Sequence, residues 1–187
     1  MEYNVSEEEC QKARAPHEIF LTNLIGNHIL WFVSSLGVAG DYWQPLAMVP
    51  VISLTTVFYT MWRANRVRSS SEESWFVMCH WQLAVKRSRI LLGVMLFLLV
   101  VAALGWVAYT YLGLMDIAVK AMIGGMGILP VMVTVLVLIM MEIDAMHQAT
   151  QGKLSAKIAE AYPNPDLGPV NTNPIGSVAP EKAPIKA

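Results

Sequence analysis

The chain has 187 residues, 55% of them hydrophobic and only 14% charged, with a mean hydropathy of +0.47 and a net charge of −1. A soluble domain usually carries about a quarter charged residues, so this composition excludes an ordinary soluble domain. The near-zero charge, with no nucleic-acid motif, also excludes nucleic acid as a partner. The apolar residues gather in runs of about twenty, the length a helix needs to cross about 30 Å of hydrocarbon. The first partner expected is therefore a lipid bilayer.

In chain order, residues 1–18 read as a cytoplasmic amphipathic segment. Ser6 with Glu9 three places on forms a capping-box pattern, and Pro16 is expected to end that helix. The first span covers 19–39, "IFLTNLIGNHILWFVSSLGVA". Its leader is acidic (Glu7, Glu8, Glu9), so it is expected to stay as a span rather than act as a cleaved signal. At 100° per residue, Asn23, Asn27 and Ser34 share one face within about 40°, and Gly26 and Gly37 lie nearby. His28 and Ser35 fall on a second face. The second span, 42–62, carries Ser53, Thr56 and Thr60 as a hydroxyl stripe.

Amides facing lipid are costly when unsatisfied. Asn23, Asn27, His28, Ser34, Ser53, Thr56 and Thr60 thus form an intramembrane polar stripe with two readings. They either hydrogen-bond spans one and two together or line a polar pathway or ligand pocket. His28 is the only ionisable residue near mid-membrane, a functional hypothesis by default. As a haem ligand it lacks a partner, because His17, His80 and His147 all fall near the cytoplasmic surface. No span holds an Asp, Glu, Lys or Arg, which argues against an ion-coupled transporter or proton-driven motor.

Between spans two and three, Ser70 and Glu73 in "RSSSEESWF" repeat the capping pattern. They predict one long helix from about Glu72 to Leu112. Trp75, Phe76, Met78 and Trp81 are expected at headgroup depth, with Lys86, Arg87 and Arg89 meeting phosphates. The third span is 90–112. The fourth, 121–141, begins near "IGGMGILP", whose three glycines and Pro130 predict a packing notch with a kink. A hinge or a discontinuous helix is the sharper alternative. Residues 19–147 make the membrane domain, 148–162 a cytoplasmic helical extension, and 163–187 a disordered Pro-rich tail holding six of the ten prolines.

Twelve of the thirteen Lys and Arg residues, all but Lys120, lie in the N-terminal segment, the 63–89 connection or the C-terminal tail. The positive-inside rule places those segments, and both termini, in the cytoplasm of a cell inner membrane. Cys10 and Cys79 then face a reducing compartment and match no metal-ligand spacing.

The end of span four, "MMEIDAMHQATQG", brings Glu142, Asp144 and His147 to the membrane edge. Asp144 and His147 share a helix face at the spacing of carboxylate–histidine metal pairs. His17, Glu18, Cys79 and His80 fall in the same layer. The candidate metal ligands are therefore His17, Glu18, His80, Asp144 and His147, against the simpler reading of solvated polar helix ends. The expected fold is an all-α four-transmembrane-helix bundle with a cytoplasmic extension of the third helix. The expected function is that of a non-catalytic accessory or assembly subunit, or a passive pore component. It would be oligomeric, packed with itself or within a larger membrane complex, and no cofactor is expected. The alternative is a membrane-embedded metal- or cofactor-binding enzyme using the cytoplasmic-edge layer.

Overall fold

The computed structural model describes residues 3–40, 42, 44–70 and 73–164. It contains α1 (Glu7–Leu36), α2 (Gln44–Ser69), α3 (Trp75–Leu112), α4 (Asp116–Thr150) and the short α5 (Ala156–Ala161). No β-strand occurs among the described residues. Helices α1 to α4 are long and apolar enough to cross a membrane, and their number and character suggest a multi-pass membrane protein. The expected disorder of the tail falls almost wholly on 165–187, outside the described residues.

The N-terminus of α1 forms as its sequence dictates. Ser6 Oγ accepts from the Glu9 N–H, and the Ser6 N–H donates back to Glu9 Oε2. Pro16, expected to stop this helix, instead lies inside it. Ala13, Pro16, His17 and Phe20 are all buried on the face that packs against α3 and α4. That packing carries the helix past the missing N–H.

Beyond Thr22, α1 widens into a π-helical stretch, Asn23–Trp31, before closing again as Phe32–Leu36. Such widenings are rare and occur often at functional sites. A second one, Ile123–Ile128, falls on the glycine-rich start of α4. Here the expected notch is real. A Cβ on Gly127 would lie 2.7 Å from Leu98 Cδ1, and one on Gly105 would lie 3.1–3.3 Å from Met122, Val119 and Ile123. Each glycine lets α3 and α4 approach where a side chain would hold them apart.

Helix α3 starts later than its sequence suggested. Its N-cap is Ser74, whose hydroxyl accepts from the Val77 N–H, while Glu73 is drawn off to Arg63 at 3.3 Å. The expected start at Glu72 lies outside the described residues. The helix ends at Gly113, whose φ of 66° is the left-handed cap that favours glycine.

Buried side chains form two apolar clusters. One, around Phe20, Leu24, Val57, Leu91, Val135 and Leu138, lies within the apolar spans. The other, around Val67, Phe76, Trp81, Ala145, Ala149 and Leu154, lies at the end where the charged segments gather. Phe76 and Trp81 therefore belong to the core and not to a headgroup belt. The 38-residue α3 extends past the apolar span, and its first turns are wrapped by α1, α2, α4 and α5. Tyr3 N–H donates to Gly152 O at 2.9 Å, and Trp75 Nε1–H donates to Tyr162 O at 2.7 Å. These bonds bring the N-terminal segment, the start of α3 and the residues after α4 together at one end.

Candidate functional site

Between the two apolar clusters lies a layer of buried ionisable groups supplied by three helices. Glu142 of α4 is fully buried and uses both carboxylate oxygens. Oε2 is 2.6 Å from His17 Nδ1 of α1, and Oε1 is 3.1 Å from an Arg87 terminal nitrogen of α3. The same Arg87 nitrogen donates to Met141 O at 2.8 Å. His17 Nε2 continues the chain to His80 Nδ1 of α3 at 2.9 Å. His17 and His80 are as completely buried as Glu142.

Charge balance sets the protons. Arg87 is cationic in any protein environment, and Glu142 as carboxylate neutralises it. His17 Nδ1–H donates to that carboxylate, and His17 Nε2 and His80 Nδ1 share the next hydrogen bond, its direction set by the ring tautomers. His80 stands well before the apolar stretch 90–112. Burial, reinforced by nearby His17, pushes its pKa down to about 3, in keeping with a neutral ring. An ion pair this deep is held by its hydrogen bonds, because desolvation of two charges offsets much of their attraction. The layer ties α1, α3 and α4 in one register.

The metal-ligand candidates separate in space. His17 and His80 meet, but in company with Glu142 and Arg87. Glu18 is exposed and pairs with Arg14 at 2.8 Å. Asp144 accepts from Gln148 and His147 bonds Gln151, each one turn along α4 on its exposed side. Among the described residues no group of three or more His, Cys, Asp or Glu is arranged to hold a metal. Arg87, expected to meet phosphate, instead turns inward, because Glu142 is the nearest anion on the buried face. Glu142 and Arg87 are the two layer residues that the candidate set missed.

The intramembrane stripe converges only in part. Asn27 Nδ2 donates to Asn23 Oδ1 at 3.2 Å and to Val49 O at 2.8 Å. Asn23 Nδ2 donates to Ser53 Oγ at 3.2 Å, and Ser53 Oγ lies 2.9 Å from His28 Nε2. All four side chains are buried. Thr60 is buried too but bonds back to Thr56 O. Thr56 bonds back to Ile52 O, and Ser34, exposed, to Leu30 O. These three hydroxyls satisfy their own helices and link nothing. The π-helical stretch is what lets Asn23, Asn27 and His28 all turn toward α2.

Asn27→Leu removes one inter-helix bond and should lower stability by about 1 kcal/mol, the scale of such bonds between membrane helices. Thermal unfolding in detergent checks this. An unchanged midpoint would show that the amide does not hold α1 to α2.

No protein-family model, curated protein or solved structure matches this chain. The geometry of its two buried polar systems therefore carries the functional reading.

Proposed function

We propose that this chain is a multi-pass inner-membrane protein with both termini in the cytoplasm, acting as a non-catalytic accessory or assembly subunit. The observation that carries this reading is the way its intramembrane polar groups end on one another. Asn23, Asn27, Ser53 and His28 are buried and bond to one another between α1 and α2, as a scaffold needs, whereas a conducting pore needs such a stripe turned toward water. Membrane insertion is supported by large apolar side chains exposed along all four long helices, such as Leu30, Phe58, Leu99 and Leu136. The shared end of the N-terminal segment, the α2–α3 connection and the residues after α4, rich in Lys and Arg, supports the orientation.

Oligomerisation or docking into a larger complex is supported by a groove of about 560 Å³ between α1 and α2. Thr22 and Gly26 line it beside Asn23, Asn27 and Trp31, and small residues such as Thr22 and Gly26 admit a neighbouring helix. Affinity purification from native membranes tests the proposal. A second membrane protein, or further copies of this chain, should co-elute in fixed ratio. A chain that elutes alone as a monomer at every detergent concentration would overturn it. Orientation is tested separately: reporters fused after Arg68 and Ala187 should be cytoplasmic and one near Asp41 periplasmic. A cytoplasmic signal at Asp41 would refute the four-span arrangement.

A further inference from the structure

A cavity of about 220 Å³ lies midway along the apolar spans, and all four long helices contribute to it. His28 and Phe32 come from α1, Pro50 from α2, Met95 and Ala102 from α3, and Met132 from α4. The π-helical stretch of α1 ends beside it, and that of α4 ends at Ile128, also on its wall. Leu99, on the rim, is exposed, so the cavity opens sideways between helices. Apart from His28, its walls are apolar.

The hydrogen-bond chain fixes what His28 offers. Each amide donates forward, Asn27 to Asn23 and Asn23 to Ser53. Ser53 Oγ thus accepts from Asn23 and must place its own hydrogen elsewhere. Thr55, Thr56 and Thr60 give theirs to carbonyls of their own helix, but among the described residues Ser53 makes no such bond. Its acceptor is His28 Nε2, 2.9 Å away. A neutral imidazole that accepts at Nε2 carries its proton on Nδ1. That Nδ1–H has no partner among the described residues. His28 is buried from the surface, only 4% exposed, and lines the cavity. Bonds aligned head to tail polarise one another, which makes the terminal N–H a stronger donor.

We infer that this cavity is a binding site for the ring of a lipid-soluble quinone, held by a carbonyl oxygen that accepts from His28 Nδ1–H. Such a site goes beyond the accessory role and does not depend on it. The ligand class follows from the chemistry of the walls. A lone donor in an apolar cavity selects an uncharged acceptor oxygen. Phospholipid ester carbonyls sit at the membrane interface, about nine residues or 13 Å along α1 from His28, so the oxygen must belong to a molecule that enters the hydrocarbon with its ring. Phe32 with the Met95 and Met132 sulfurs offers the contacts that a flat ring favours. The volume lies below the roughly 300 Å³ at which pockets for drug-sized ligands begin. It suits one substituted six-membered ring whose tail leaves past Leu99.

The purified full-length chain in detergent, titrated with a decyl-substituted dimethoxy-methyl-benzoquinone, should bind one molecule per chain. Decylbenzene, with the same tail and a ring without oxygens, should bind at least about tenfold more weakly, the scale of one hydrogen bond to a buried donor. Ala102→Phe fills the cavity while leaving the hydrogen-bond chain intact, and should abolish binding. His28→Leu should weaken quinone binding about tenfold and decylbenzene binding hardly at all. A photoactivatable azidoquinone applied to the unaltered chain should label peptides containing Met95, Met132 or Phe32, a readout that does not depend on any variant folding. Equal affinity for the two ring compounds, undiminished binding to folded Ala102→Phe, or labelling confined to other peptides would overturn the site.

Discussion

Replacing Glu142 by Leu should lower the stability of the folded chain by about 3–5 kcal/mol, the usual penalty when one partner of a buried ion pair is removed. Both carboxylate oxygens are engaged, one by His17 and one by Arg87, so the substitution strands a guanidinium and an imidazole N–H out of water together. Arg87 is then the residue in difficulty, since it cannot shed its proton. The double variant Glu142→Leu with Arg87→Met should recover most of the loss, because an apolar pair of similar volume replaces a charged one. Thermal or denaturant unfolding of the single and double variants measures both terms. A single variant as stable as the parent, or a double variant no better than the single, would show that the pair does not hold the layer.

Gly127→Leu should separate α3 from α4 and destabilise the chain by about 1–3 kcal/mol, as overpacking a tight contact does. The first added carbon would already fall 2.7 Å from Leu98 Cδ1 and 3.4 Å from Val101 Cγ1. Gly127→Ala should be milder, because the Leu98 methyl is the mobile end of a side chain. A Cβ added at Gly124 or Gly125 would meet nothing within 4 Å, so Gly125→Ala should leave packing unchanged. A ranking by unfolding midpoint with Gly125→Ala least affected and Gly127→Leu most is expected. Equal effects at 125 and 127 would mean that the helix widening, and not the contact, demands glycine.

The four apolar helices were legible because hydropathy needs only composition and length. The layer at their edge was half legible. His17 and His80 could be placed at one depth, yet their partner was taken to be Asp144 or His147 on the strength of local spacing. The better signal was the buried face of α4: Val131, Val135, Leu138, Glu142, Ala145 and Ala149 recur at alternating steps of four and three. Glu142 lies on that seam, while Asp144 and His147 lie off it. His80, Ala84, Arg87 and Leu91 follow the same alternation on α3, which marks Arg87 as inward-facing despite its charge. The π-helical stretches could not be read from sequence. They shift the angular position of every later residue, so a wheel drawn at 100° per residue grouped Ser34 with Asn23 and Asn27, although only the asparagines turn inward.

The contact between His17 and Glu142 spans 125 positions, which gives the layer a place in time as well as in space. On a ribosome adding about 5–20 residues per second, His17 emerges about 6–25 s before the carboxylate it needs. His80 and Arg87 are made in that interval, so the nascent chain holds a buried-side arginine and two imidazoles with no anion to meet them. Those groups must stay hydrated, or be sheltered by another protein, until α4 arrives. The last of the four long helices to be synthesised is therefore the one that completes the junction of the other two, and a chain interrupted before it lacks the one residue that would let the layer close.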